Sequence, residues 1–357
     1  MSQKSSINDR TSLERVTKAT NGSQTGPEFD RLLDLSVDLA PQNPHHLRLS
    51  NPVMIASGTL GYDGYGRGLT PEMDLARLGA VIPKTVTWNP REGNPEPRWY
   101  PESFRRGLDS GETIMLNSIG LANPGVEGAL TNLAPEWQKW QQGGATILLS
   151  LSAESPAQFG EMASMARGVA GFQAFELNLS CPNIESGALF GHSAGLTSQA
   201  VTAVKASTSL PVLVKLAPNV PDITEIAVAA VEAGADALTI SNTLPAMKID
   251  LKTRRPVLGN ITGGLSGHGL RAVSLALVYQ ASRVVAVPII GVGGIFSGEH
   301  AFEYILAGAT AVQIGSANLA DLWSPFRILD ELTALASQEG ISSLGELTGT
   351  VETKTHR

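Results

Sequence analysis

The stretch V-P-I-I-G-V-G-G, residues 287–294, is a short apolar run that ends in a pair of glycines. A second apolar run, A-V-Q-I-G-S-A at residues 311–317, ends in glycine and serine, and a helix-like segment separates the two. Nearly continuous apolar runs of this length are typical of parallel strands that are buried on both faces of a sheet. The pair therefore predicts two consecutive β/α units.

Six further runs rich in Val, Ile, Leu and Ala precede this pair. They are P-V-M-I-A-S-G (52–58), G-A-V-I-P-K-T (79–85), A-T-I-L-L-S-L-S (145–152), A-F-E-L-N-L-S (174–180), P-V-L-V-K-L-A (211–217) and A-L-T-I-S-N (237–242). Helix-like segments that reach a glycine near their ends lie between several of them, as helix C-caps do. Eight β/α units predict an α/β TIM (β/α)8 barrel. A Rossmann-type sheet is the alternative, but no G-x-G-x-x-G follows the first strand.

The chain divides into three predicted segments. Residues 1–28 are rich in polar residues and predict a disordered tail, residues 29–340 hold the barrel, and residues 341–357 form a C-terminal tail. Ahead of the first barrel strand, L-S-V-D-L and H-L-R-L-S-N-P predict an N-terminal β-hairpin. The segments Thr87–Met115 and Pro245–Gly269 are long, and we expect both to be loops inserted at the C-terminal face of the barrel.

The composition excludes several functional classes. The 357 residues carry a formal net charge of −7, whereas a nucleic-acid-binding protein needs a basic face. No apolar run approaches the ~20 residues that span a bilayer, and the first residues lack the apolar core of a secretory signal. The single cysteine excludes an internal disulfide framework or a cysteine-ligated cluster within this chain, and fits a reducing compartment. We therefore expect a cytoplasmic protein that binds neither nucleic acid nor membrane.

Polar side chains follow the predicted strands at their carboxyl ends, where barrel enzymes place their active sites. They are Ser57, Lys84, Thr85, Ser150, Asn178, Cys181, Lys215, Asn242 and Thr243, with Gly293, Gly294, Gly315 and Ser316 after the last two strands. Two lysines and several amides at one mouth predict an anionic ligand rich in hydrogen-bonding groups. The glycines offer backbone N–H groups beside the start of a short helix, which predicts a phosphate pocket.

Two of these residues have more than one interpretation. Lys215 ends a buried strand, where a charge requires a partner, and could form a Schiff base or support an anionic cofactor. A lone cysteine such as Cys181 is more often a small buried hydrophobe than a catalyst. Pro182 ends the strand, however, which predicts that the sulfur lies at the barrel mouth as a general base or a nucleophile, depending on its pKa.

Nine segments of the chain resemble, in order, those of the dihydroorotate dehydrogenases. They are N-P-V-M-I-A-S-G-T, K-T-V-T, L-N-S-I-G-L-A-N-P-G, E-L-N-L-S-C-P-N, V-K-L-A-P-N-V, S-N-T, D-L-K-T-R-R-P-V-L-G-N-I-T-G-G-L-S-G, G-V-G-G-I and A-V-Q-I-G-S-A, from about Leu35 to Asp330. At position 181 the chain resembles class 1 of that family, because the membrane-linked class 2 has a serine where this chain has Cys181. The N-I-E-S-G-A-L-F-G loop and the D-L-K-T-R run resemble the B-type catalytic subunit.

The resemblance implies a flavoprotein that oxidises (S)-dihydroorotate to orotate in pyrimidine (UMP) biosynthesis. It implies FMN across the barrel mouth, in contact with Ser57, Lys84, Thr85, Ser150, Asn178, Lys215, Ser241, Gly267, Gly293, Gly294, Gly315 and Ser316. The substrate would stack on the flavin, held by Lys84, Asn117, Ser118, Ile119, Gly120, Leu121, Asn178, Asn183, Asn242 and Thr243. Cys181 would remove the C5 proton while C6 delivers hydride to flavin N5, and Lys215 would support the reduced flavin.

Two positions depart from the pattern of that family. Ser150 stands where an asparagine that contacts flavin is expected, and its shorter side chain could need a water to reach the ring. His268 stands where a proline is expected, and we interpret it as a solvated loop residue outside the site. Trp88 and Trp99 are interpreted as rim or subunit contacts.

The resemblance also implies partners. B-type subunits pass electrons to a second subunit that carries FAD and a 2Fe-2S cluster and reduces NAD, and the catalytic subunits form a homodimer or part of a heterotetramer. The chain has no dinucleotide fingerprint of its own, and the electron acceptor stays open between NAD, fumarate and others. We expect no metal ion in this chain.

Three rival functions remain open. The first is another FMN barrel, such as a dihydropyrimidine dehydrogenase module. The second is a Schiff-base aldolase that uses Lys215, and the third is a catalytically silent flavin-binding subunit. The substrate-holding asparagines weigh against the first of these.

Overall fold

The computed structural model describes residues 33–102, 113–179 and 190–352 of the chain. The predicted N-terminal tail, residues 1–28, lies outside the described residues, and so do Cys181 and Asn183. Among the described residues, no helix combines the length and the apolar character needed to cross a bilayer.

The described residues form sixteen strands. In chain order they are β1 (Val37–Asp38), β2 (Arg48–Leu49), β3 (Val53–Ile55), β4 (Ala80–Val81), β5 (Trp99–Tyr100), β6 (Ile114–Asn117), β7 (Leu148–Leu151), β8 (Ala174–Asn178), β9 (Val212–Lys215), β10 (Ala237–Ile240), β11 (Leu244–Ala246), β12 (Ile249–Asp250), β13 (Arg255–Pro256), β14 (Gly263–Gly267), β15 (Ile289–Val292) and β16 (Ala311–Ile314).

Eight of these strands build a parallel barrel, in the order β4, β3, β16, β15, β10, β9, β8, β7. Two parallel bridges, Val81 with Ile147 and Val86 with Leu151, join the two ends of this sheet and close it. Each of the eight predicted apolar runs contains one barrel strand. The predicted TIM barrel is therefore confirmed.

Nine α-helices lie in the described ranges and connect or follow the strands. They span Gly125–Gly128, Ala134–Gln142, Pro156–Met165, Ala194–Lys205, Ile223–Glu232, Arg271–Ser282, Gly298–Ala307, Ser316–Ala320 and Ser324–Gln338. Side chains of Ser155, Ser193, Asp222 and Ser297 accept hydrogen bonds from backbone N–H groups at four helix starts. These caps satisfy amides that have no partner within the helix.

The barrel interior is filled by layers of side chains that come from alternate strands. The lowest layers are apolar and consist of Ala80, Ala174, Ala237 and Ala311, followed by Met54, Leu148, Leu213 and Ile290. Two residues after the four alanines, the next layer consists of Ile82, Glu176, Thr239 and Gln313, all of them fully buried. The interior thus changes from apolar to polar towards the carboxyl ends of the strands.

The predicted N-terminal hairpin is present and closes the bottom of the barrel. Strands β1 and β2 pair antiparallel, with Val37 opposite Leu49. Leu39, Leu47 and Leu49 are buried in the same cluster as the lowest interior layers. Because the hairpin covers that end, the open end of the barrel is the one at the strand carboxyl termini.

The sequence predicted that the two insertions are loops. In the structure they contain strands that pair with each other. Strands β5 and β6 from the first insertion and β11 and β14 from the second form an antiparallel four-stranded sheet in the order β11, β14, β6, β5. Strands of two to five residues are too short to show a clear period-two pattern, so the local sequence did not reveal them. This sheet is called the mouth sheet below, because its residues line the cavity at the barrel mouth.

Residues 341–352, which belong to the predicted C-terminal tail, pack on the barrel. Leu344 is buried in a cluster with Ile305 and Ala336. Asp34 forms a parallel bridge with Ser343, which ties this segment to the residues ahead of the hairpin.

Candidate active site

A cavity of about 530 Å³ lies at the carboxyl ends of the barrel strands, beside the mouth sheet. Its volume falls in the range of pockets that bind small molecules. The structure brings most of the predicted site residues to its wall: Ser57, Lys84, Thr85, Asn117, Ser118, Ile119, Gly120, Leu121, Asn178, Lys215, Ser241, Asn242, Thr243, Gly293, Gly294, Gly315 and Ser316.

Four predicted residues are not found on this wall. Ser150 and Gly267 lie behind it, each in contact with a lining residue: Ser150 with Thr85, and Gly267, through its backbone N–H, with Ser316 Oγ at 3.1 Å. Cys181 and Asn183 lie outside the described residues. Strand β8 ends at Asn178, which lines the cavity, so the chain leaves the described part at the barrel mouth.

A cluster of hydroxyl and amide groups occupies one side of the cavity. Thr85 Oγ1 lies 3.0 Å from Ser57 Oγ, 2.8 Å from Ser150 Oγ and 3.4 Å from Asn178 Nδ2. Asn242 Nδ2 donates to Asn178 Oδ1 at 3.4 Å. Groups that both donate and accept suit a flat ligand with carbonyl and N–H groups on its edge.

Lys84 enters the cavity between this cluster and the loop that follows β3. Its backbone N–H donates to Gly64 O at 2.9 Å, and its side chain is half-buried. Burial lowers the pKa of the Lys84 ammonium to about 8; the nearby Arg98 also lowers it, whereas Asp63 raises it. Lys84 therefore loses its positive charge at mildly basic pH.

Lys215 lies at the floor of the cavity and is held from below by two residues that sequence reasoning missed. Its Nζ donates to Gln313 Oε1 at 3.1 Å and lies 3.8 Å from Glu176 Oε1. Gln313 Nε2 donates to Glu176 Oε2 at 2.6 Å, and Thr239 Oγ1 donates to the same oxygen at 3.1 Å. The sequence did carry a signal for both residues, because Glu176 and Gln313 are polar residues inside otherwise apolar strands.

The turn Asn117–Leu121 forms the wall that the mouth sheet contributes. Asn94, also missed from sequence, donates from Nδ2 to Ser118 Oγ at 2.8 Å and from its backbone to Ile119 O at 3.1 Å. Gly120 and Leu121 have φ values of 71° and 53°, in the left-handed region. A second side-chain amide holds the far end of the turn.

Asn123 supplies that anchor, and its amide is fully used. Nδ2 donates to Thr87 Oγ1 at 2.8 Å and to Leu121 O at 2.6 Å. Oδ1 accepts from the backbone N–H groups of Thr87 and Gly125 at 3.1 and 2.8 Å. This side chain ties the turn to the barrel, although it does not line the cavity itself.

The glycine pocket lies at the ends of β15 and β16. Gly293 and Gly294 have φ values of 137° and 67°. A Cβ at Gly293 would collide with Ser274 Oγ, and one at Gly294 would come within 2.7 Å of Arg271 Cβ. Only glycine fits both the backbone conformation and the space, because the ends of these strands pack closely against residues at the start of the helix Arg271–Ser282.

Ser266 is a further polar residue of this cavity wall that the sequence did not indicate. Its hydroxyl is buried and has no hydrogen-bond partner among the described residues. A buried hydroxyl without a partner is rare in a native protein. A bound ligand with an acceptor or donor at this point would satisfy it.

Two expectations about aromatic and histidine residues change with the structure. Trp99 lines the cavity, so it is more than a rim contact. His268 is not a solvated loop residue: it begins a 3-10 helix and stacks on Phe296, with ring centroids 3.8 Å apart and an angle of 21° between the planes.

The described residues contain no group of three or more His, Cys, Asp or Glu side chains placed to hold a metal ion.

Comparison with known proteins finds similar proteins over most of the chain. The family model "Dihydroorotate dehydrogenase" matches residues 40–335. Proteins named dihydroorotate dehydrogenase B (NAD(+)), catalytic subunit are similar to this chain. The one from Desulforudis audaxviator (strain MP104C) is 41% identical over 304 residues, which cover 85% of this chain and 94% of that protein. The one from Geobacter sp. (strain M21) is 39% identical over 320 residues, 89% of this chain and 98% of that protein.

The range of the family model contains the barrel strands, the mouth sheet and every described residue of the cavity wall. With its confirmed barrel fold, the chain belongs to the dihydroorotate dehydrogenase family.

Proposed function

We propose that this chain is the catalytic subunit of a B-type dihydroorotate dehydrogenase, and that it oxidises (S)-dihydroorotate to orotate in pyrimidine biosynthesis. The observation that carries the proposal is one cavity that joins a glycine pocket, a buried lysine floor and a wall of amides. The family is flavin-dependent, and such a cavity offers each part of FMN and its substrate a matching surface.

The residues fit FMN as the cofactor. The glycine pocket, Gly293, Gly294, Gly315 and Ser316, would hold its phosphate through backbone N–H groups. Ser266, whose buried hydroxyl has no hydrogen-bond partner in the described part of the chain, supports a polar ligand in this cavity. The remaining contacts would come from Ser57, Lys84, Thr85, Asn178, Lys215 and Ser241, with Ser150 and Gly267 acting from behind the wall.

When bound, FMN supplies the hydride acceptor of the reaction. Lys215 places a cation at the cavity floor, where it stabilises negative charge that develops above it. Lys84 is suited to the substrate carboxylate, and Asn178, Asn242 and Thr243 to the ring carbonyl and N–H groups. The turn Asn117–Leu121, together with Asn183, would complete this binding surface.

Cys181 is proposed as the general base that removes the proton from C5. Its position supports the role, because the chain passes it three residues after Asn178, the last residue of β8 and a lining residue of the cavity. A thiolate is the form that accepts a proton. In this fold, catalytic residues usually follow the carboxyl ends of barrel strands.

The electrons are proposed to leave through a partner subunit that carries FAD and a 2Fe-2S cluster and reduces NAD. The support is the wording of the relatives' names, which give a catalytic subunit and NAD(+). We further propose a homodimer of catalytic subunits, or a heterotetramer with the partner, in the cytoplasm.

An anaerobic titration tests the proposal. The purified chain should carry a yellow flavin spectrum that L-dihydroorotate bleaches without any added acceptor. If the protein is yellow but this substrate does not bleach it, the enzyme acts on a different substrate, such as another dihydropyrimidine. A colourless protein that takes up no FMN would contradict the flavin site. If borohydride then trapped a carbonyl substrate covalently on Lys215, the protein would be an aldolase.

A further inference from the structure

The interior layer directly beneath the cavity carries three polar side chains for which the proposed reaction gives no role. Glu176, Thr239 and Gln313 are each fully buried, and Ile82 is the fourth member of the layer. An apolar side chain would fill any of these positions without the loss of hydration that a buried polar group suffers. A carboxyl group at such depth therefore requires a specific reason.

The three residues form one hydrogen-bonded chain that ends on Lys215. Gln313 stands between the two charges: its Nε2 donates to Glu176 Oε2 at 2.6 Å, and its Oε1 accepts from Lys215 Nζ at 3.1 Å. Glu176 Oε1 faces the ammonium at 3.8 Å and accepts no hydrogen bond from any described residue. The direct ion pair is thus long, and the short contacts run through Gln313.

Glu176 dictates which way the Gln313 amide points. Carboxylate oxygens only accept hydrogen bonds, so the amide NH₂ has to face Glu176. That orientation turns the amide oxygen towards Lys215, where it can accept from the ammonium. With the amide reversed, two donors would face each other across the same gap.

Lys215 is the member of this chain that reaches the ligand, because it lines the cavity floor. A cation fixed in place before the reaction stabilises developing negative charge without reorganising at that moment. We propose that Glu176 is a positioning residue: through Gln313 it holds the Lys215 ammonium at the cavity floor, and it thereby raises the two-electron reduction potential of the flavin bound there. This inference rests on the proposed FMN site.

The test is the midpoint potential of bound FMN, measured anaerobically by equilibration with a reference dye. Lys215→Met should lower the potential, because the cation is lost. Glu176→Gln should lower it in the same direction, since an amide can donate as well as accept and no longer orients Gln313. We expect the reduction equilibrium constant of Glu176→Gln to fall about tenfold, which is about 30 mV for a two-electron couple. The double variant should match Lys215→Met alone, because the two act as a unit.

A matched control separates this effect from damage to the layer. Ile82→Val shortens the apolar member of the same layer, so it should lower Tm and leave the potential unchanged. If Glu176→Gln does not fold, Gln313→Met removes the same link at similar side-chain length and should also lower the potential.

The outcomes distinguish this inference from the proposed function. An unchanged or raised potential in Glu176→Gln, with FMN bound, would overturn the inference alone, because Glu176 would then be irrelevant to Lys215 or would merely offset its charge. A wild-type chain that takes up no FMN would overturn both.

Discussion

Thr85 Oγ1 lies 2.8 Å from Ser150 Oγ, and both hydroxyls are buried at the edge of the cavity. The contact shows how this chain uses a serine where an asparagine was expected. Ser150 does not reach the cavity itself. It instead supports Thr85, which lines the wall and also meets Ser57 at 3.0 Å.

This arrangement predicts the effect of Ser150→Ala. Thr85 Oγ1 would lose one of its close partners, and the net loss for such a hydrogen bond is about 1 kcal/mol. We expect FMN affinity to fall roughly fivefold, measured by quenching of flavin fluorescence. An affinity equal to that of the wild type would show that Ser150 takes no part in ordering the wall.

Cys181→Ser tests the proposed base. A serine hydroxyl loses a proton far less readily than a thiol, so the rate of flavin reduction by dihydroorotate at neutral pH should fall by about 10²–10⁴-fold. The rate should recover partly as pH rises. FMN affinity is the control and should stay unchanged. Full turnover at neutral pH would contradict the assignment.

The pH dependence of ligand binding should report on Lys84. Its pKa, lowered by burial to about 8, means that the ammonium loses its charge as pH rises through that value. Orotate is an anion, so its affinity should be constant below pH 8 and fall above it, by up to about tenfold per pH unit. Isothermal titration between pH 6 and 10 measures this. Lys84→Met should bind weakly throughout, with no inflection near pH 8.

The same pKa has a consequence for stability. The unfolded chain keeps a lysine pKa near 10.5, so between about pH 8 and that value it binds more protons than the folded protein. The free energy of unfolding should therefore rise with pH across this window. Lys84→Met should remove this contribution to the slope in denaturant titrations of the FMN-free protein.

Asn123→Ala should damage the substrate wall without touching the flavin pocket. The variant leaves the buried backbone N–H groups of Thr87 and Gly125 without their acceptor, at a cost of about 1–3 kcal/mol. Tm should fall, and KM for dihydroorotate should rise because the turn Asn117–Leu121 loses its anchor. FMN affinity should be retained. A raised Tm or an unchanged KM would contradict this role.

Gly294→Ala should disrupt the proposed phosphate pocket, and Gly168→Ala provides the matched control. Both glycines have positive φ, 67° and 77°, so alanine is strained at each by about 1–2 kcal/mol. A Cβ at Gly168 meets nothing within 4 Å, whereas one at Gly294 meets Arg271. Both variants should lower Tm, but only Gly294→Ala should weaken FMN binding. If Gly294→Ala and Gly168→Ala bound FMN equally well, the glycine pocket would not be the phosphate site.

The sequence predicted the features whose signals are local. Apolar runs such as Val212–Lys215 and helices that end at a glycine are visible within a few residues of each other. The polar residues at the strand ends were found for the same reason, since strand direction alone places them at the barrel mouth. Eleven of these strand-end residues line one cavity, whereas the other predicted residues of its wall, Asn117–Leu121 and Ser241, came from the family resemblance.

The sequence by itself therefore determined the barrel, its hairpin and the composition of the mouth. Only the tertiary structure decided which distant groups meet. Glu176 and Gln313 are separated by 137 residues, and Asn117 and Gly264 by 147. Such pairs carry no periodic signal, because each partner looks like an isolated polar residue in its own strand or loop. Barrel closure brings them together, and with them come the support beneath Lys215 and the sheet that forms one wall of the cavity.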